Sequence, residues 1–250
     1  MTHRVSGSKY GLAQVCAYWA RADVACLPRS VGDAAKLGTA VHALVEYEQR
    51  VRMGSGAVSG IEVPNSPHDL EAFPMARQAN AWLAANDVPT YVEVPIIYNA
   101  ATDTARLAET SGHRGYKGVG PMDIPTTLDL LWVGNHVDVV DLKTGQERHA
   151  HPEQLDIQAL AASRLFGKAS ARVGFLFARK TKVIPPKWRE LDEDALAGEA
   201  FLAASVMRSL PMAQPNPGPH CFTCPLGRDA CPAHQAPSAE DMAEAFASVG

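Results

Sequence analysis

Two β-rich runs separated by only three residues lie at the centre of the chain. Residues 127–133 and 137–144 are both rich in apolar and β-branched side chains. A two-residue turn between them would place Asp129 opposite Val140, and the two nearby carboxylates would then point to opposite faces of the sheet. A three-residue turn pairs Asp129 with Asp141 instead. We predict the three-residue turn, which brings both carboxylates to one face.

The same register pairs Val133 with Val137 and adds a lysine to the two acids. Asp141 and Lys143 are two residues apart on one strand, so they project from the same face. Two surface aspartates on an ordinary hairpin would be the alternative. An apolar strand is a costly place for an unpaired carboxylate, which argues against that alternative.

The remaining pattern predicts helices around a few strands. The expected strands are residues 91–98, 127–133, 137–144 and 172–179, and Pro95 indicates an edge or a strand end. The expected helices are residues 9–26, 38–53, 75–86 (beginning after Pro74), 152–166 and 192–210, the last with Asp192 as N-cap. Residues 54–67 and 110–121 are expected to be loops. This order indicates an α/β domain with a small mixed sheet.

Positive charge is concentrated in one stretch of an acidic chain. Residues 157–189 contain no Asp or Glu and carry +8, whereas the net charge of the chain is −4. Local potential steers a polyanion more than net charge does, so a nucleic-acid ligand is not excluded. A solvated basic face would give the same pattern. The candidate DNA contacts in this stretch are Arg179, Lys180 and Lys182.

Three of the five cysteines are clustered in a Pro-rich tail. The N-terminus lacks the apolar core of a signal peptide, and no apolar run approaches the ~18 residues needed to cross a bilayer. We therefore expect a cytoplasmic protein, in which disulfides are disfavoured and clustered thiols indicate metal. An iron–sulfur cluster and a zinc site that includes His220 or His234 both remain open. The cysteines are Cys16, Cys26, Cys221, Cys224 and Cys231.

Four short motifs follow one another along the chain. They are a helical G-x-x-x-H, a strand Asp, a D-x-K strand and a helix with a buried-type Gln, and they correspond to Gly38 with His42, Asp129, Asp141 with Lys143, and Gln158. This succession resembles the RecB-like branch of the PD-(D/E)xK nucleases. The resemblance implies a restriction-endonuclease-like α/β core, in which helices flank a small mixed sheet.

The same resemblance implies a divalent-metal site for phosphodiester hydrolysis. His42, Asp129 and Asp141 would ligate Mg²⁺ or Mn²⁺ together with the Leu142 backbone carbonyl, as hard cations prefer oxygen ligands. Lys143 would be catalytic, orienting the nucleophile or stabilising developing charge.

Three further side chains have roles that the sequence leaves open. Gln158 would be part of the catalytic set, either supporting the site or contacting DNA. Glu93 is a candidate supporting acid, although a solvent-facing strand Glu would look the same. Glu46, one turn after His42, could hydrogen-bond the imidazole or lie on the surface.

The cysteine pattern resembles that of iron–sulfur nucleases, namely the AddB-type subunits and the CRISPR-associated adaptation exonucleases. The resemblance implies that one N-terminal and three C-terminal thiolates hold a [4Fe–4S] cluster, with Zn²⁺ as the alternative. Such a cluster would act as a clasp that docks the tail beside the nuclease core. Cys26 would be left as an ordinary buried thiol. The four ligands implied are Cys16, Cys221, Cys224 and Cys231.

We therefore expect a nuclease core in residues 1–210, a metal-binding tail in 211–237 and a C-terminal segment in 238–250. The expected activity is metal-dependent cleavage of DNA, with single strands or ends as substrate, and the expected pathways are recombination or repair, including those of phage. A non-catalytic DNA-binding or assembly subunit and a zinc-stapled nuclease are the alternatives. No G-x-x-x-x-G-K-[ST] loop is present, so a helicase or recombination partner would be a separate chain.

Overall fold

The computed structural model of this chain describes residues 5–20, 33–54, 67–111, 115–145, 151–216, 218 and 231. Its α-helices are α1 (Tyr10–Val15), α2 (Asp33–Arg52), α3 (Pro67–Ala84), α4 (Pro152–Phe166) and α5 (Glu193–Ser209). None of the helices in these ranges has both the length and the apolarity that a membrane crossing requires.

One mixed sheet of seven strands organises the described part of the chain. Its strands are β1 (Tyr91–Asn99), β2 (Thr104–Leu107), β3 (Asp123–Val133), β4 (Val137–Lys143), β5 (Ala171–Ala178), β6 (Val183–Ile184) and β7 (Arg189–Leu191). The order is β2-β1-β3-β4-β5-β6, and β7 pairs with the other end of β5. Only the β4–β5 pair is parallel. The crossover between these two strands is α4.

Helices cover both faces of the sheet. Side chains of α2 and α3 form one buried cluster with Leu130, Val140 and Leu142. Side chains of α1, α4 and α5 form a second cluster on the opposite face, with Leu131 and Val139. The residues of the central strands alternate between the two clusters, as strand geometry requires. The predicted α/β fold with a mixed sheet is confirmed.

The two long helices of the C-terminal half match their predicted limits closely. Helix α4 begins at Pro152, where a missing N–H costs nothing, and ends at Gly167 in the left-handed conformation with φ +62°. Asp192 caps α5 as predicted, because its side chain accepts a hydrogen bond of 2.8 Å from the backbone nitrogen of Ala195.

The prediction for the N-terminal helix is wrong over its described residues. Instead of one helix from residue 9, the chain forms a 3-10 turn at Gly7–Lys9, the short helix α1, and a second 3-10 turn at Ala17–Ala20. The break falls at Cys16, whose backbone is extended. Residues 21–26 lie outside the described part, as do residues 55–66 of the predicted loop.

The predicted start of α3 is also wrong. The helix begins at Pro67 and contains Pro74, which lies on its exposed face together with Leu70. The Leu70 carbonyl, deprived of its helical partner by Pro74, therefore faces solvent, where it can be hydrated.

Pro95 lies within β1, immediately before the residues that pair with β2, and its carbonyl accepts a hydrogen bond of 2.9 Å from the backbone nitrogen of Ala108. Among the described residues, no strand pairs with this edge of β1 from Tyr91 to Val94. Three short strands, β2, β6 and β7, were not predicted.

Candidate active site

The β3–β4 hairpin has the predicted three-residue connection. Val133 pairs with Val137 and Leu131 pairs with Val139. This register sends Leu131, Val137 and Val139 to the face covered by α4. The ladder ends at the Leu130–Val140 pair, and Asp129 and Asp141 lie just beyond it, where the alternation of β3 is interrupted and Leu128 also lies on the α4 side.

The two aspartates of the hairpin are almost completely buried, with 4% and 3% of Asp129 and Asp141 exposed. Asp129 Oδ2 accepts a hydrogen bond of 2.7 Å from the backbone nitrogen of Leu142, which ties the two strands together beyond the ladder. Asp141 Oδ2 forms an ion pair with Lys143 Nζ at 2.8 Å. A carboxylate oxygen has two lone pairs, so this oxygen could still ligate a cation beside the ammonium.

Helix α4 contributes Gln154 to the acid–lysine pair. Its Nε2 donates to Asp141 Oδ1, and its Oε1 accepts a hydrogen bond of 3.0 Å from Lys143 Nζ. The ammonium group also lies 5.8 Å from the ring centre of Phe175. The lysine is therefore held on three sides by a carboxylate, an amide and an aromatic ring.

Helix α2 contributes His42 from the other face of the sheet. His42 Nε2 lies 2.8 Å from the Leu142 carbonyl oxygen, and Nδ1 lies 3.4 Å from Asp129 Oδ1. Gly38, one turn earlier, packs beside the residue that follows Lys143: a Cβ there would lie 3.4 Å from Thr144 Oγ1, which is close to an ordinary van der Waals contact. The G-x-x-x-H motif thus places its imidazole against the end of β4.

Strand β1 contributes Glu93, whose Oε1 lies 3.1 Å from His42 Nδ1. Neighbouring residues of β1 pair with β3 in continuous register, but the Glu93–Asp129 position between them is unpaired. Glu93 has φ +49°, a left-handed conformation that non-glycine residues seldom adopt and that clusters at functional sites. His42, Glu93 and Asp129 offer ligand atoms that all lie within 4.8 Å of one another. Glu93 therefore belongs to the site and does not face solvent.

The carboxyl groups of the site differ in how closely each is paired with a positive charge. Burial and the charge of Asp129 raise the pKa values of Asp141 and Glu93. Burial opposes ionisation of Asp129 too, but His42 and Lys143 outweigh it and hold that pKa below its ordinary value. Burial also opposes protonation of His42, yet Asp129 and Glu93 raise its pKa well above the usual range. Three carboxyl groups thus face one lysine and one histidine. A divalent cation bound by the neutral imidazole of His42 would, together with Lys143, balance the three carboxylates.

Gln158, expected either to support the site or to contact DNA, lies one helical turn beyond the glutamine that touches the acid–lysine pair. It is 1% exposed, which keeps it from contacting DNA, and its Nε2 donates a hydrogen bond of 2.9 Å to the Thr127 carbonyl. The contact with the acid–lysine pair belongs to Gln154, one turn earlier on the same helix face. The available signal was the pair of glutamines at i and i+4, Gln154 and Gln158, which share one face of the helix. Glu46 pairs with Arg50 at 2.6 Å and not with His42.

The candidate DNA contacts form a turn beside the site, residues 179–182, which we name the basic turn. Arg179 donates to the carbonyl of Thr144 at 3.1 Å and to that of Gly145. Lys180 pairs with Glu71 of α3 at 3.2 Å, and Lys182 is exposed. The basic turn therefore follows β5 and adjoins the residues that follow Lys143.

Two of the four predicted cluster ligands lie in the described part of the chain. Cys16 and Cys231 are free thiols, both are buried, and both belong to the same apolar cluster. Asn216 donates a hydrogen bond of 2.7 Å to the Val15 carbonyl, so the chain after α5 returns to the segment that carries Cys16. The other predicted ligands and their histidine competitors, as well as Cys26, lie outside the described residues; they are Cys221, Cys224, His220 and His234.

A mixed sheet with a buried Asp/Asp/Lys set at one end is characteristic of metal-dependent nucleases. The chain belongs to the PD-(D/E)XK nuclease superfamily, whose family model matches residues 4–232. Among solved structures, the chain is similar to the crystal structure of SSO0001. That likeness has 16% sequence identity and a TM-score of 0.36, and it covers 78% of this chain and 86% of that one. No curated protein matches the chain in sequence.

Proposed function

We propose that this protein is an exonuclease of the RecB-like branch that cleaves single-stranded DNA or DNA ends with Mg²⁺ or Mn²⁺. The observation that carries the proposal is the pair of buried aspartates beside a lysine. Structural proteins rarely bury two carboxylates together without cations to balance them, because the cost of burying unpaired charge is high.

The side chains that would hold the metal lie near the end of β4, where His42, Glu93 and Asp129 offer ligand atoms within 4.8 Å of one another. They are His42, Asp129 and Asp141, with the Leu142 carbonyl and with Glu93 in support. Their mixture of carboxylate, imidazole and carbonyl donors suits Mg²⁺ or Mn²⁺. A divalent ion at this place supplies the polarisation of the phosphate and the activation of water.

The protein's own groups position the remaining chemistry. Lys143 is held in place by Asp141 and Gln154, so its ammonium is pre-organised to orient the nucleophile or to stabilise charge that develops on the phosphate. Gln158 supports the site indirectly, because it fixes β3 at Thr127, two residues before Asp129.

Residues 179–182 supply the DNA contact in this proposal. Arg179, Lys180 and Lys182 lie next to the residues that follow Lys143, where a phosphodiester backbone entering the site would pass. Phosphate contacts of this kind position a strand without reading its sequence.

A metal clasp completes the proposal, with residues 1–210 as nuclease core and residues 211–237 as the tail that it docks. Cys16 and Cys231 are both buried in the apolar cluster on the α4 side of the sheet, and Asn216 bonds to the Val15 carbonyl; both observations support a tail that returns to the N-terminal segment. Four thiolates would suit a [4Fe–4S] cluster, and Zn²⁺ is the alternative. Its role would be to restrain the unfolded chain.

The test is cleavage of end-labelled single- and double-stranded DNA by anaerobically purified protein, with Mg²⁺, Mn²⁺ or EDTA. We expect metal-dependent release of label that Lys143→Ala abolishes. Lys117→Ala is the matched control, because that lysine is exposed and lies outside the site. If the folded, metal-loaded wild type leaves every substrate intact, the chain is better described as a DNA-binding subunit.

A further inference from the structure

A groove on the side of the molecule away from α4 runs between α2 and α3. Its volume is about 760 Å³, and it is lined mostly by apolar side chains of the two helices, including Leu44, Tyr47, Leu70, Phe73 and Arg77. Leu70, Phe73 and Tyr47 are 76%, 47% and 42% exposed. Two aromatic rings and an aliphatic side chain thus remain open to solvent in one concave surface, which is unusual for a surface without a ligand.

The groove begins beside the nuclease site. Ala43 and Leu44, which line the groove, belong to the helical turn of α2 that carries His42, but they lie on a different face of the helix from the imidazole. On the other wall, Glu71 is adjacent to Leu70 and pairs with Lys180 at 3.2 Å. One end of the groove is therefore flanked by both the metal-site helix and the basic turn.

The charges around the groove favour an anionic ligand. Glu48 lines the groove, but Arg52 pairs with it at 2.6 Å. Arg77 also lines the groove, is exposed, and forms no ion pair with any residue that the structure describes. Arg77 therefore adds positive charge to the apolar lining, and the basic turn reaches the α3 wall of the groove through the Lys180–Glu71 pair and carries the exposed Lys182.

We propose that the α2–α3 groove holds the unpaired bases of a single DNA strand while the basic turn contacts its phosphates. This inference rests on the proposed function, because it concerns the substrate of the same site. A ligand that is flat and apolar along one edge and anionic along the other matches the groove and its rim. In a duplex the faces of the bases are stacked on each other, so only an unpaired strand could place them against Tyr47 and Phe73.

The inference is tested by binding in EDTA, where no cleavage interferes. Fluorescence anisotropy compares a labelled single-stranded oligonucleotide with an abasic one that has the same number of phosphates. We expect wild type to bind the normal strand about ten-fold or more tightly than the abasic strand. The double variant Tyr47→Ala/Phe73→Ala should bind both strands with the lower, abasic affinity.

Phe201→Ala is the matched control, since Phe201 is 73% exposed on α5, across the sheet from the groove. It should leave both affinities unchanged. Should the alanine variant fold poorly by circular dichroism, Tyr47→Leu/Phe73→Leu removes the rings while keeping apolar volume. It should show the same loss of base preference.

Equal binding of the two strands by wild type would overturn the inference, as would a folded groove variant that keeps the preference. A groove variant that changes the sedimentation of the protein but not its DNA affinity would overturn it too, and would mark the groove as a protein interface. Hydrolysis of bis(p-nitrophenyl) phosphate with Mn²⁺ separates this inference from the proposed function. The groove variant should retain that hydrolysis, whereas failure of wild type to hydrolyse the diester would count against the nuclease itself.

Discussion

The side-chain amide of Gln154 donates a hydrogen bond to Asp141 Oδ1. The other end of the same amide accepts a hydrogen bond from Lys143 Nζ at 3.0 Å. One buried group from α4 therefore sets the relative positions of the carboxylate and the ammonium, two groups that must be placed precisely for phosphodiester hydrolysis.

Gln154→Ala should lower the rate of DNA cleavage by about ten- to a hundred-fold, the usual cost of losing a group that orients a metal ligand. We expect the loss mainly in kcat, because Gln154 lies too deep to bind the DNA backbone. Steady-state kinetics on a labelled single strand measure the split between kcat and KM.

Gln158→Ala is the matched control, since Gln158 is a buried glutamine on the same helix face. Its hydrogen bond goes to the Thr127 carbonyl, and loss of that partner should cost about 1–3 kcal/mol of unfolding free energy. Denaturant unfolding should show this cost. A larger loss of kcat in Gln158→Ala than in Gln154→Ala would contradict the roles assigned to the two residues.

Metal binding should stabilise the protein. An ion that binds only the folded state at a hundred times its Kd adds about 2.7 kcal/mol, which for a chain of this size corresponds to a rise in Tm of roughly 5–10 °C. Thermal unfolding with and without Mn²⁺ measures the shift. Asp129→Asn should abolish it, and Asp103→Asn, at an exposed aspartate outside the site, should not. An undiminished shift in Asp129→Asn would place the metal elsewhere.

The pairing of β3 with β4 could be predicted because the possible registers differ by whole residues, and each one-residue change alters which side chains share a face. A one-residue change of register would send Asp129 and Asp141 to opposite faces of the sheet, so the need to bring two buried carboxylates together beside Lys143 selects one register. Helix α4 was equally predictable, since Pro152 and Gly167 mark its ends by backbone chemistry that depends on no other element.

The remaining errors come from tertiary contacts that leave no local signal. The left-handed backbone of Glu93 depends on Asp129 and His42, which are distant in sequence. The choice between Gln154 and Gln158 depends on which turn of α4 lies against the end of β4, and both glutamines have the same helical periodicity. Pro74 favours a helix boundary in the sequence, because no local pattern shows that this proline lies on the exposed face of α3.

Stability should fall as pH rises through neutrality because of Glu199. Burial, followed by the charges of Asp156 and Glu153, raises the pKa of this carboxyl from 4.5 to about 7, despite the opposing effects of Tyr10 and Arg189. A raised pKa means that the folded protein binds the proton more tightly, so this stabilisation is complete below pH 4.5 and is lost as pH rises through about 7.

Glu199→Gln should remove this pH dependence and stabilise the protein at pH 8 by about 2 kcal/mol, after allowance for screening by solvent. Denaturant unfolding between pH 5 and pH 8 measures the effect. Glu193→Gln, at an exposed glutamate of the same helix, should leave the slope unchanged. A slope equal to that of wild type in Glu199→Gln would show that another group titrates.

Loss of either described clasp thiol should release the tail. Cys16 and Cys231 are buried in one cluster, and Asn216 already ties the preceding segment to Val15. Cys16→Ser and Cys231→Ser, purified anaerobically, should each lose bound iron, the visible absorbance of the cluster and thermal stability, because metal binding is coupled to folding. Cys26→Ser should retain all three. If the wild type contains zinc instead of iron, the clasp is a zinc site. If Cys231→Ser retains the metal content of the wild type, Cys231 is not one of the metal ligands.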